Sequence, residues 1–198
     1  IRREQPVFLA MTFLLSAFDL LLSAAVIVGP PVLVIGILGG SDESLGLAQG
    51  ALGLGGLLGG LLGGALGSRL HPRHGPILLL LCSGALAVMG AAFLPGVPPA
   101  VRYWAVAAMG LGMMAAASLF TILLLSVLQI QVEPRLLGKV IACVQAVANC
   151  ASPLGQAGYG VLFEVLPPWA VLLGAAGCSA LVALGGLGIF QGLEPDRT

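Results

Sequence analysis

Four residues near the start of the chain are spaced for chemistry. Thr12, Ser16, Asp19 and Ser23 follow steps of 4, 3 and 4, which at about 100° per residue confines them to an arc of about 60° on a helix. Asp19 is the ionisable side chain placed deepest in its apolar surroundings, and a carboxyl group on such a stripe can accept a proton or a cation where the stripe faces a water-filled cavity. The same pattern also fits a hydrogen bond between packed helices, with Asp19 permanently protonated. A second, longer stripe follows the same rule: Gln145, Asn149, Ser152, Gln156 and Tyr159 take steps of 4, 3, 4 and 3 and share an arc of about 80°. It must face protein or water rather than lipid, so cavity lining and a polar seam between helices both suit it. Pro153 beside it removes a backbone donor and predicts a bend. Ser118, Thr121, Ser126 and Gln129 form no tight arc.

Other chemistry finds no support. Cys82, Cys143, Cys150 and Cys178 have no metal-type spacing with histidine and read as small packing residues. His71 and His74, on either side of Pro72 and Arg73, read as solvated loop residues, and no zinc site is implied. The segment EPRLLGKV lacks the first glycine and the Ser or Thr that a phosphate-binding loop needs after Gly138 and Lys139. Neither G-x-S-x-G nor H-E-x-x-H occurs. The chain is expected to be no enzyme, with no cofactor and no metal.

The elements that position the stripes follow from composition. Of 198 residues, 59% are hydrophobic and only 8% are charged, against about 25% in soluble domains. Too few charges remain to clothe a surface in water, which excludes a soluble globular protein. A net charge of zero leaves no basic face for nucleic acid. A helix crosses the bilayer with about 20 apolar residues, and stretches nearly free of charge place six spans near 7–29, 45–68, 76–95, 101–130, 140–163 and 169–190. Runs such as AVLLGAAGCSALVALGGLGIF are apolar all round, unlike the alternating strands of a membrane barrel. The fold class is all-α, a polytopic membrane protein. Asp19 costs its span roughly 2.5–3.5 kcal/mol of insertion free energy, but each Leu, Ile, Phe or Val around it returns about 0.3–0.6, and eleven of them lie between 9 and 29.

One six-helix unit over 1–192 and a tail at 193–198 account for the whole chain. With these spans, Arg2, Arg3, Arg69, Arg73, Arg135, Lys139 and Arg197 fall on one side and Arg102 alone on the other. The positive-inside bias makes both termini and the 69–75 and 131–139 loops cytoplasmic. Pro30 and Pro31 are expected to break or kink the first helix, with 31–38 a short apolar continuation inside the longest link, 30–44. In the second span Gly55, Gly59, Gly63 and Gly56, Gly60, Gly64 fill one half of the wheel and Leu57, Leu58, Leu61 and Leu62 the other. Such a small-residue face lets membrane helices approach closely. The sequence begins at Ile1 with IRREQP and no leader pattern, and reads as a piece of something longer.

At the loops a family resemblance emerges. GGALGSRLHPRHG at 63–75 resembles the cytoplasmic loop signature of the major facilitator superfamily through Gly64, Arg69 and Arg73; Ser68, His71 and Pro72 stand where an aspartate, a glycine and a basic residue are usual. LGGSDESLGLAQGALGLGGLLGG at 38–60 and VEPRLLGKVIACVQAVANCASPLG at 132–155 resemble the seventh-to-eighth and tenth-to-eleventh helix regions of its multidrug and siderophore exporter branch. Pro134, Gly138 and Lys139 match a loop of that branch, with Leu137 replacing an arginine. The resemblance spans roughly 7–190 and implies helices seven to twelve, the C-terminal half, built as two inverted three-helix repeats whose first helix lines a central cavity. It implies efflux of an apolar or amphipathic small molecule by alternating access, with proton coupling through Asp19. The implied partners are the lipid bilayer, that small-molecule substrate, and an N-terminal six-helix half or a second copy; the implied location is a bacterial plasma (inner) membrane. A membrane-embedded assembly or scaffold subunit without transport is the alternative from a different class.

Overall fold

Proline sets where most of the helices begin. The computed structural model describes residues 13, 16–66, 71–132 and 134–191, and among them six helices are long and apolar enough to cross a membrane. They are α1 (Ser16–Ile37), α2 (Asp42–Leu66), α3 (Gly75–Ala92), α4 (Pro99–Gln131), α5 (Pro134–Val165) and α6 (Pro168–Gln191). Pro76, Pro99, Pro134 and Pro168 stand in the first turns of α3 to α6. There the missing N–H is one the helix would leave unbonded anyway, and the fixed φ suits helix entry. α2 starts differently: the Ser44 amide donates to Ser41 Oγ at 3.3 Å, and Asp42 and Glu43 occupy the positive end of the helix dipole. No strand occurs among the described residues.

Two boundaries differ from the sequence expectation. α1 does not end at Pro30. A regular segment, Ala24–Pro30, runs into a widened π-helical stretch, Pro31–Ile37, whose i→i+5 bonding absorbs the ladder defects that two prolines create. The helix closes where the Leu38 amide reaches the Leu33 carbonyl at 3.0 Å and the Gly40 amide the Val34 carbonyl at 2.8 Å. Gly39 turns the chain there with φ of +63°, a left-handed conformation that glycine adopts without steric cost. The second difference concerns 131–139, which is almost all helix: Arg135, Gly138 and Lys139 lie in the first turns of α5. Its 32 residues measure about 48 Å, against a hydrocarbon layer of roughly 30 Å, so α5 is long enough to carry basic residues beyond such a layer without leaving helical geometry.

The helices pack in a definite order. α2 lies along α4, α3 lies between α4 and α6, and α1 lies along α5, with smaller contacts from α1 to α6 and α2 and from α4 to α5. α3 is central, with 50% of its span buried, and α5 is peripheral, with 11%. Phe120, Leu123, Leu124 and Leu128 of α4 are fully buried with Leu86 of α3 and Leu172 of α6, and the rings of Phe18 and Phe120 are 5.1 Å apart. The exterior is apolar too: Leu57 and Leu61 are 59% and 64% exposed. A patch of this kind is incompatible with water and natural against lipid.

Glycine decides the α2–α4 contact. A Cβ at Gly55 would overlap the Leu111 carbonyl, one at Gly59 the Ala115 carbonyl, and one at Gly63 the Ile122 side chain. The second glycine row behaves differently. A Cβ at Gly56 would sit 3.7 Å from Met114, and at Gly60 or Gly64 it would meet nothing within 4 Å. The two rows are about 100° apart, and only one can lie on the contact line. Gly59→Ala is therefore expected to cost about 1–3 kcal/mol through overpacking, whereas Gly60→Ala stays within about 0.5 kcal/mol. Unfolding of both variants in detergent measures the difference.

Candidate functional site

The two polar stripes sit on paired helices. Thr12 lies outside the described residues, as do the side chains of Asp19 and Ser23. The backbone around them has an unexpected form: Asp19–Ser23 is a π-helical turn, followed by regular helix from Ala24. A widened turn takes up roughly one extra residue, which shifts helical phase by about 100°. The spacing that aligns Ser16 and Asp19 with Ser23 on a regular helix therefore does not carry across this turn. Ser16 is half-buried, and its hydroxyl is enclosed without a hydrogen-bond partner among the described residues.

On α5 the second stripe divides. Val144, Ala148, Gly155 and Tyr159 form the buried edge, and the Tyr159 hydroxyl donates to the Leu21 carbonyl of α1 at 2.6 Å. Gln145 and Asn149 are exposed, and Ser152 and Gln156 are half-buried between the two edges. Gln156 Nε2 donates to Ser152 Oγ at 3.1 Å, the i,i+4 pairing that helical spacing permits. Tyr159 therefore belongs to the α1–α5 seam, and Gln145 and Asn149 to an open face. Pro153 lies inside α5, which stays helical through it.

A hollow of about 250 Å³ lies where α1, α5 and α6 meet, bordered by Leu20, Leu21, Leu154, Gly155, Tyr159 and Cys178 among others. Its wall is apolar apart from Tyr159 and Cys178. Of the five α5 stripe residues it includes Tyr159 alone.

The loop motif residues gather at exposed helix ends. Gly64 is exposed near the end of α2, and Arg69 lies outside the described residues. Arg73 is exposed in a tight turn, Pro72–His74, in which the His71 amide donates to His74 Nδ1 at 3.0 Å. Pro134, Gly138 and Lys139 are exposed at the start of α5. At the α3–α4 turn Arg102 donates from Nη2 to the Leu94 carbonyl at 3.4 Å and lies 5.9 Å from the centre of the Phe93 ring.

The cysteines require a correction. Cys82 is buried, and its thiol donates to the Met113 carbonyl at 3.6 Å, but Cys143, Cys150 and Cys178 are exposed. Small size suits a packing role, yet these three are exposed on the surface of the chain, Cys178 at the edge of the hollow that Tyr159 borders. Sequence spacing also missed a polar junction between α3 and α6. Ser83 donates to the Ala176 carbonyl at 2.5 Å, and the Ser179 hydroxyl lies 3.0 Å from both Ser83 Oγ and that carbonyl. Each serine is isolated in its own helix, so no one-dimensional pattern marks the pair.

Single cysteines in place of Gln145 or Asn149, compared with the buried Cys82, supply a test of what covers the open face. A maleimide reacts with the thiolate, which forms only where water reaches the sulfur. In native membranes Gln145→Cys and Asn149→Cys are expected to react more than tenfold faster than Cys82 if water lies against that face of α5, and to be as inert as Cys82 if lipid or a packed partner covers it. Compared with protein-family models, with curated proteins and with solved structures, the chain gives no match.

Proposed function

We propose that the chain is one six-helix half of a secondary active transporter of the major facilitator kind, expelling an apolar or amphipathic small molecule by alternating access in exchange for protons. The observation that carries this reading is the open face of α5. Gln145 and Asn149 are exposed partway along a helix long and apolar enough to cross a membrane. Amide side chains in hydrocarbon are costly, and they are tolerated where protein or a water-filled passage covers them. A half that shares its passage with a second half meets that condition.

Helix pairing supports the inverted-repeat part of the reading. Advancing every helix by three turns the α2–α4 pair into α5–α1 and the α3–α4 pair into α6–α1, and it leaves α3–α6 unchanged; all of these contacts occur. The close approaches follow the same exchange: Gly55 and Gly59 of α2 meet α4 backbone, and Gly155 of α5 meets the Leu20 carbonyl of α1. Two three-helix repeats of opposite orientation would pair in this way. Arg73, Arg135 and Lys139 at the α2–α3 and α4–α5 ends favour a cytoplasmic position for that side and for both termini, in the plasma membrane of a bacterium. Open glycines at Gly60 and Gly64 keep a second reading in view, a scaffold subunit that docks another membrane protein through α2.

The test is transport in proteoliposomes under an imposed pH gradient, with the protein in the assembly it forms in its membrane. Asp19→Asn is expected to abolish proton-driven efflux of an apolar dye at unchanged insertion. Undiminished transport by that variant rejects Asp19 as the coupling group. An assembly without transport, stably bound to an unrelated membrane protein, selects the scaffold reading.

A further inference from the structure

We infer that Gly155 and Tyr159 of α5 form a clamp on the widened turn of α1 that carries Asp19, and that Tyr159 is a positioning residue for Asp19 rather than part of a passage wall. Asp19's part in proton coupling rests on the transporter reading; the clamp does not.

The turn Asp19–Ser23 has π-helical bonding and is followed by regular helix. Turns of this kind are less favourable than regular ones and persist where their surroundings hold them. Two consecutive carbonyls of this turn, Leu20 and Leu21, are engaged by two residues of α5 one turn apart. At Gly155 the absence of a side chain lets the α5 backbone meet the Leu20 carbonyl directly; a Cβ there would overlap that oxygen and would stand 2.7 Å from the Ala24 Cβ. Four residues on, the Tyr159 hydroxyl donates to the Leu21 carbonyl at 2.6 Å. Tyr159 has little freedom to leave, being 4% exposed, with its ring 6.2 Å from that of Phe163.

The two contacts depend on each other. Without the close approach at Gly155 the hydroxyl would stand farther from α1, and without the hydroxyl the Leu21 carbonyl would lose its hydrogen bond from α5. Inside a bilayer no water is at hand to take the place of the phenol. A turn released from the clamp would relax toward regular bonding, and the residues before it would rotate by about 100° relative to those after it. Asp19 opens this turn, so the clamp fixes which face of α1 position 19 occupies.

Two measurements test this on the purified full chain in lipid nanodiscs, neither of which needs transport. The first is backbone hydrogen exchange of the segment around 16–25, with the α2–α4 contact as the internal reference. The second is the rate at which an apolar carbodiimide modifies Asp19, relative to the exposed Glu164. Tyr159→Phe is expected to speed exchange of the α1 segment by about fivefold, the change that one net hydrogen bond allows, and to change Asp19 modification by a similar factor while Glu164 stays constant. Gly155→Ala, which wedges the helices apart, is expected to give the same two changes and serves if the phenylalanine variant does not fold. Unchanged exchange in these variants overturns the clamp. Faster exchange with Asp19 modification unaltered overturns the positioning role.

Discussion

Backbone contact between helices is the constraint on which this structure depends. Where lipid surrounds a protein, burying leucine against leucine gains little over leaving it in hydrocarbon, so association relies on close fit and on hydrogen bonds between helices. α2 meets α4 where Gly55 and Gly59 expose carbonyl-to-backbone contact, and α1 meets α5 through Gly155 and the Tyr159 hydroxyl. α3 meets α6 through Ser83, Ser179 and the Ala176 carbonyl. Bulky apolar residues are left for the outside and for the single packed centre around Phe120 and Leu86. The leucines of α2 that point outward, Leu57 and Leu61 among them, take no part in holding the fold.

Much of this was legible in sequence because the bilayer is a demanding solvent. Stretches without charge had to be helices, and prolines at 76, 99, 134 and 168 mark their entries. Length was less legible. Arg135 and Lys139 argued for a loop, since a charge within a span is costly, but α5 is longer than a bilayer is thick and its first turns lie outside the apolar stretch. At Pro30 and Pro31 local rules predict a break or a kink with an apolar continuation over 31–38, and the chain continues through both prolines as a widened helix to Ile37.

The candidate site shows where one-dimensional reading stops. Helical spacing placed Tyr159 with Gln145 and Asn149, and the residues do share a side of α5. That side is wide enough to be divided by a neighbour, so Tyr159 is claimed by α1 while the two amides remain open. The π turn at Asp19–Ser23 has no local signature at all, because the residues that engage it lie far along the chain. The serine junction of α3 and α6 is hidden for the same reason: 96 positions separate Ser83 from Ser179.

Those long separations bear on biogenesis. α1 lies mainly along α5, and Leu21 waits for a residue 138 positions downstream. At a synthesis rate of about 5–20 residues per second, that interval is on the order of ten seconds. Throughout it the Leu21 carbonyl and the rest of the α1 contact surface are without α5, the principal neighbour, which is still unmade. A nascent chain of this design needs a chaperoning surface, from the insertion machinery or from another polypeptide, to shelter its first helix until the fifth arrives.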